Sequence, residues 1–310
     1  MTDIFLGFDT SNYTTSAAIF GSGIIKSERK ILDVKKGERG LRQSDALFAH
    51  VKNLPPLYRA LMENTPKTIA AVGVSTRPRN VEGSYMPVFL AGSGFAHVAA
   101  DTLGVPVFEF SHQDGHIMAG IVSGSHSELL EKPFLSVHLS GGTTEVLKSR
   151  YNGFCFDNEI IGGTKDISAG QLIDRVGVLL GMKFPCGREL EEKALCAEGR
   201  LKMKTSVSGG YVNFSGAETA LSRLIKANPA EEICLAVLEH VGTALSKMLS
   251  ELARASGIKD ILIVGGVASD KIIKNILTEQ VSARLFFAAP EYSADNAVGI
   301  AALAEKGYRK

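Results

Sequence analysis

The stretch SHQDGHIMAG, residues 111–120, sets His112 and His116 four positions apart, directly after the apolar run VPVFEF. In a helix, residues i and i+4 share a face with Cβ atoms about 5–6 Å apart, so two imidazoles there can hold one metal ion. The zinc-protease signature has the same spacing but needs a glutamate right after the first histidine as general base. Position 113 is a glutamine, which argues against peptide hydrolysis. An isolated pair is equally well served by one ring packed on a sheet and the other in water. A metal site needs a third ligand.

Asp295, in PEYSADNAVGI at the start of the last helical pattern, is the candidate. As a helix N-cap, an aspartate there needs no further explanation. As a ligand, it would complete two imidazoles and a carboxylate with a position left open for substrate, a set that zinc and iron(II) both accept.

The remaining chemistry sits in glycine-bearing turns. In LSGGTTEV, Gly141 and Gly142 permit positive φ and close backbone approach, and Ser140, Thr143 and Thr144 bring hydroxyls that could surround a phosphate or acyl oxygen. Between two strands, the same residues also make an ordinary hairpin. IVGGVASD, ending in Asp270, reads as a strand-to-helix junction whose helix terminus would attract anions, or as a tight turn. FPCGRELEE places Gly187 at a helix entry. Three such turns in one half of the chain point to a ligand at the strand ends of an α/β protein.

Strands alternating with helical patterns predict that class. IFLGFDTS, TTSAAIF and GIIKSERKIL read as three tightly joined strands. DALFAHVKNLPPLYRALMEN reads as an amphipathic helix interrupted at Pro55 and Pro56, before the strand TIAAVGVST. FLAGSGFAHVAADTLG reads as a helix before VPVFEF, and the polar segment 122–133 as a boundary. FLSVHLSGGTTEVLKS then repeats the opening plan of strand, tight polar turn and strand. That recurrence predicts two duplicated lobes around a cleft: residues 1–128 with the histidines, and 129–310 with the turns and a last helix closing the cleft.

Composition limits the alternatives. The 310 residues suffice for two lobes, and 34 basic against 33 acidic side chains leave no global basic footprint for nucleic acid. A local patch is available in residues 26–42, with seven basic and three acidic side chains, although such a run is also what a solvated face looks like. Cys155, Cys186, Cys196 and Cys234 show no CxxC pairing and read as reduced thiols in a cytoplasmic protein. The start lacks a signal-peptide pattern and no membrane association is expected.

The order DTSxxxTS, HQDGH, LSGGTTEV, SAGQLIDRVGVLLG with FPCG, NFSGAETAL, VGGVASD and SADNA resembles the TsaD (Gcp-like) family of tRNA threonylcarbamoyladenosine transferases, formerly labelled sialoglycoprotein endopeptidases, over nearly the whole chain. The resemblance implies the actin-like, sugar-kinase-like (ASKHA) ATPase fold. It also implies transfer of threonylcarbamoyl from its adenylate to N6 of the anticodon-adjacent adenosine of tRNA, or a close acyl or carbamoyl transfer. It assigns one divalent metal, iron or zinc, to His112, His116 and Asp295, and adenylate or ATP to Ser140, Gly141, Gly142, Thr143, Thr144, Asp174, Gly187 and Asp270, with Glu191 a weaker ribose candidate. Implied partners are a dimerising TsaB-like paralogue, a small TsaE-like ATPase and tRNA.

The chain departs from the family pattern at Asn12, Tyr13 and Thr14, at RPRNVEGSYMP, at Thr143 and at Asp270, where the family has asparagine. These departures mark a divergent paralogue. They keep two other expectations open: a metal-dependent ATP-using enzyme of the same fold with another substrate, and a non-catalytic partner subunit.

Overall fold

The computed structural model describes residues 3–310 except 12, 34–40, 64, 66, 67 and 294. Part of the basic run at 26–42, and Asn12, therefore lie outside the described residues. The chain forms two compact units: Met1–Glu131, Arg150–Asp157 and Asp295–Lys310 make the first, and Lys132–Ser149 with Asn158–Ala294 the second.

The first unit opens with strands β1 (Ile4–Ser11), β2 (Thr14–Gly21) and β3 (Ile24–Ile31). Helix α1 (Gln43–Met62), strand β4 (Ile69–Arg77), helix α2 (Phe89–Leu103), strand β5 (Val107–Ser111) and helix α3 (His112–Ser123) follow. The second unit takes β6 (Phe134–Leu139), most of β7 (Thr144–Tyr151) and β8 (Phe156–Thr164), then α4 (Ala169–Leu179), α5 (Gly187–Ala194), β9 (Val207–Ser208) and β10 (Tyr211–Val212). It continues with α6 (Ser215–Leu224), α7 (Ala230–Ser256), β11 (Asp260–Val264), α8 (Lys271–Gln280), β12 (Arg284–Phe287) and the short α9 (Pro290–Ser293). Helix α10 (Val298–Tyr308) returns to the first unit.

The two sheets run β3-β2-β1-β4-β5 and β12-β11-β6-β7-β8-β10-β9. Within the second, β8-β7-β6-β11-β12 repeats the order of the first. In both, the opening strand pairs antiparallel with the next and parallel with the strand that follows a helical segment. This is the duplicated α/β plan that the two similar strand-turn-strand openings predict.

Alternation along β1 decides what each face meets. Ile4, Leu6 and Phe8 join Leu54, Leu61, Ala96 and Ala100 in the core under α1 and α2. Gly7, on the opposite face, lies against α10: a Cβ built on it would sit 2.6 Å from the Ala297 carbonyl oxygen and 2.7 Å from the Ala301 nitrogen. Gly73 of β4 meets the Ile300 carbonyl at the same 2.6 Å. The last helix is therefore seated on the first sheet, and a single boundary near residue 128 describes only the first passage between units. The chain passes again at 149/150, 157/158 and 294/295.

Helix α1 is continuous through Pro55 and Pro56. Both prolines are exposed, as are Val51 and Lys52, whose carbonyls lose their helical partners and can turn to water. Strand β8 and the β9–β10 hairpin were not legible as strands. In the second unit, α7 supplies Ile233, Val237, Val241, Leu245 and Met248 to the core. By length and composition it could cross a membrane, but 72% of its most apolar window is buried inside the protein. Cys155, Cys186, Cys196 and Cys234 are all free thiols.

Candidate metal centre and nucleotide-binding turns

Helix α3 starts where β5 ends because Ser111 and Asp114 form a capping box. Asp114 is fully buried; its Oδ2 accepts from the Ser111 hydroxyl at 2.6 Å and from Asn80 Nδ2 at 2.6 Å, and its Oδ1 from the Phe156 N–H at 3.1 Å. One carboxylate thus ties the helix start to the loop after β4 and to the first residue of β8. His112 and His116 project from the first two turns.

At the other side, α10 lies directly on α3. A Cβ on Gly299 would run into the Gly115 carbonyl and come within 2.6 Å of the Ala119 nitrogen, so only glycine fits this crossing. The residues leading into α10 are held close to the histidines as a result. Ala297 is the N-cap residue of α10, and Asn296 Oδ1 accepts the Val298 N–H at 3.0 Å. Asp295, one residue earlier, points its carboxylate at the imidazoles: Oδ1 lies 3.2 Å from His116 Nε2 and 3.8 Å from His112 Nε2, and Oδ2 accepts from the Ser11 hydroxyl at 3.2 Å. The two Nε2 atoms are 3.0 Å apart. All three donor atoms fall within 4.8 Å of one another, close enough to ligate a single ion.

Sequence reasoning missed Asp9. It sits at the end of β1 on the face of Gly7, fully buried, and its Oδ2 is 2.6 Å from His112 Nδ1. Its Oδ1 accepts the Ser11 N–H at 2.8 Å. Burial alone would push the His112 imidazole down, but the Asp9 carboxylate, then Asp295, outweigh it and raise it to about 9. An acid on Nδ1 leaves Nε2 aimed inward, as a metal-binding histidine requires. The available signal was an aspartate inside an otherwise apolar strand, where a buried charge must have a partner.

The second unit holds the other predicted residues. Ser140 to Thr143 close the hairpin between β6 and β7: Ser140 N–H donates to the Thr143 carbonyl at 2.9 Å, and Thr143 N–H to Ser140 Oγ at 3.1 Å. Helix α4 begins against this turn, with the Ser168 hydroxyl on the Gly141 carbonyl and the Ala169 N–H on Thr144 Oγ1, both at 2.8 Å. Gly141 and Gly142 are exposed, and a Cβ on either meets nothing within 4 Å. Neither adopts the positive φ that a glycine permits; that freedom is used instead by Gly265 (φ 103°) at the end of β11.

Asp174 accepts the Cys186 N–H at 2.7 Å beside Gly187, and burial pushes its carboxyl up. Asp270 is the N-cap of α8 and accepts the Ile273 N–H at 2.9 Å, while Glu191 Oε1 accepts the Lys271 N–H at 2.9 Å. Burial, then the nearby Glu191, raises Asp270 to about 6. A 3-10 turn, Gly266–Ser269, separates β11 from α8, so the expected direct junction is absent and the start of α8 carries its own carboxylates.

The model of the family described as "TsaD: tRNA N6-adenosine threonylcarbamoyltransferase" matches residues 26–302. The chain belongs to this family. It is a TsaD-family transferase, and its relatives place it in tRNA threonylcarbamoyladenosine biosynthesis. The tRNA N6-adenosine threonylcarbamoyltransferase of Riemerella anatipestifer is 28% identical, aligning 99% of this chain with 93% of that protein. A probable bifunctional tRNA threonylcarbamoyladenosine biosynthesis protein of Thermoplasma volcanium is 28% identical over 96% of the chain and 55% of its own length. Among solved structures, component A of the Acidaminococcus fermentans (R)-2-hydroxyglutaryl-CoA dehydratase superimposes with TM-score 0.57 at 17% identity, covering 99% of each chain. A ROK-family glucokinase of Streptomyces griseus superimposes with TM-score 0.56 at 12% identity, covering 98% of this chain and all of that one. These likenesses give the TsaD-family chain its actin-like, sugar-kinase-like fold.

Proposed function

We propose that the protein transfers a threonylcarbamoyl group from its adenylate to N6 of the anticodon-adjacent adenosine of tRNA, using one divalent metal held by His112, His116 and Asp295. The observation that carries this reading is the convergence of two Nε2 atoms and one carboxylate oxygen on a common point, backed by Asp9. A metal bound there would act as a Lewis acid toward the carbamoyl oxygen. In the transfer, N6 attacks the carbamoyl carbon and loses a proton, the new C–N bond forms, and the C–O bond to the adenylate phosphate breaks with release of AMP. Asp9 and Asp295 hold the imidazoles in place, and Ser11 orients the Asp295 carboxylate. Iron and zinc both suit the donor set.

The adenylate is assigned to the Ser140–Thr144 turn, where the open backbone at Gly141 and Gly142 can approach a phosphate, with Asp174, Gly187 and, less strongly, Glu191 for the ribose and adenine. Asp270 faces its own helix, so its charge is tolerated and Asp270→Asn should bind adenylate as well or better and keep turnover. A TsaB-like paralogue and a TsaE-like ATPase are the proposed partners, in the cytoplasm.

The test is transfer of labelled threonylcarbamoyl to unmodified tRNA by the purified chain with those partners, alongside elemental analysis. His112→Ala/His116→Ala should lose both metal and transfer; equal metal content in variant and wild type would sink the assignment. Gly142→Val, where the new side chain has room in the fold, should weaken nucleotide binding by calorimetry, and unchanged affinity would place the nucleotide elsewhere.

A further inference from the structure

The second unit contains a cavity of about 280 Å³ formed at the β9–β10 hairpin, the start of α6 and the middle turns of α7. None of the residues assigned above to metal or nucleotide lines it. Its polar lining comes from Lys165, Lys204, Ser206, Ser208, Asn213 and His240, with no carboxylate among the lining residues. Lys165 Nζ is held 5.0 Å from the centre of the Tyr211 ring, which also lines the space.

His240 is the least expected member of this set. It projects from the core helix α7, is only 5% exposed, and has its Nδ1 3.1 Å from Thr205 Oγ1. Its Nε2 is buried with no hydrogen-bond partner. Burial, then Lys247, lowers its pKa, which favours the neutral ring. The contact at Nδ1 can be made with either atom as donor; with the Thr205 hydroxyl donating, the neutral ring would carry its proton on Nε2, as a donor that the fold leaves unmatched. A buried donor left unmatched is unfavourable, and a ligand accepting from it would relieve that cost.

The neighbouring acids do not serve the lysines. Asp166, next to Lys165, accepts from the backbone N–H groups of Phe214 and Ser215 at 2.8 and 3.0 Å and from the Thr164 hydroxyl, and is lowered to about 2 against the effect of its burial. Glu239, next to His240, pairs with Arg200 at 3.2 Å. The residues lining the space thus bring two ammonium groups, two hydroxyls, an amide and the buried His240 ring.

We propose that this cavity binds a phosphate group, with Lys165 and Lys204 supplying charge and Ser206, Ser208 and His240 supplying directed donors. The phosphate is either that of a small compound or a phosphodiester of RNA; both present the same tetrahedral oxyanion. The metal assignment plays no part in this inference.

The test titrates the full chain with inorganic phosphate by calorimetry, and with unmodified tRNA by fluorescence anisotropy from about 50 to 200 mM salt. Two variants are compared with wild type. Lys165→Ala/Lys204→Ala changes only exposed side chains; His240→Phe keeps a ring but removes the donor, with thermal melting as the check on folding. Saturable phosphate binding that falls about tenfold or more in the double variant supports the proposal. If tRNA affinity also falls and its salt slope shrinks by about one for each lysine removed, the phosphate belongs to the RNA backbone; if tRNA binding is unchanged, it belongs to a small compound. Phosphate affinity equal in the double variant and wild type overturns the proposal, as does binding that survives there but is lost in Gly142→Val. Metal content should stay constant throughout, so failure here leaves the reading of the metal centre untouched.

Discussion

Asp9 shows how one buried carboxylate can set the chemistry of a residue 103 positions away. Asp9→Asn keeps a polar side chain against His112 Nδ1 but removes the charge. Metal affinity should fall roughly 10- to 100-fold in competition with a chelator, as for other partners of metal-bound histidines; unchanged affinity would mean that Asp9 only fills space. Asp270 gives a second residue-scale prediction. Its folded pKa, raised from 3.8 to about 6, contributes stability that is fully present below about pH 4 and lost as the pH rises through 6. Asn caps helices as well as Asp, so Asp270→Asn should match wild type near pH 4 and exceed it at pH 7, by an order of 1–3 kcal/mol in urea unfolding. A constant difference across that range would refute it. At this scale the sequence was a partial guide. The two histidines and Asp295 were legible as a candidate group from spacing and position, and the cap reading of Asp295 gives way because the Asn296 amide oxygen bonds the first N–H of α10. Asp9 was missed because its partner is distant in sequence.

Helix α3 and helix α10 cross through glycine, and their separation fixes how far Asp295 stands from His116. Gly299→Ala puts a methyl into the backbone of the facing helix. It should destabilise the fold by about 1–3 kcal/mol and also reduce metal affinity, because the carboxylate must retreat with its helix. A stability loss with unchanged metal binding would show that the crossing does not position the ligand. Elements with strong apolar periodicity, such as β1, β4, β11 and α7, could be read directly. Strand β8 could not: its alternation mixes Asp157, Asn158 and Glu159 with exposed Ile160, and its partner β10 is two residues long. The prolines of α1 misled for a related reason, since a local rule against them gives way where the freed carbonyls face water.

The two sheets repeat one order of strands, and each proposed site belongs wholly to one unit: donors for metal in the first, residues for nucleotide in the second. Removing the metal should therefore act regionally. In hydrogen exchange, a chelator should raise exchange in β1, α3 and α10 and leave β6, β11 and α4 as they were, while restored metal at 100 times its Kd should return about 2.7 kcal/mol to the first unit. Uniform loss of protection would contradict that division. The duplication was legible because strand, polar turn and strand recur at both openings. The later returns of the chain were not, because contacts of Gly7 and Gly73 with residues near 300 leave no local mark.

That return has a meaning in time as well as in space. The chain emerges from the ribosome N-terminus first, so β1, α3 and both imidazoles are synthesised long before Asp295 and the helix that covers the sheet at Gly7 and Gly73. Until residues 295–310 appear, the first unit lacks both its third donor and one side of its core. Loading of the proposed ion would thereby wait until the rest of the polypeptide, including all of the second unit, has been made, and a chain stalled before residue 295 cannot bring these three groups together.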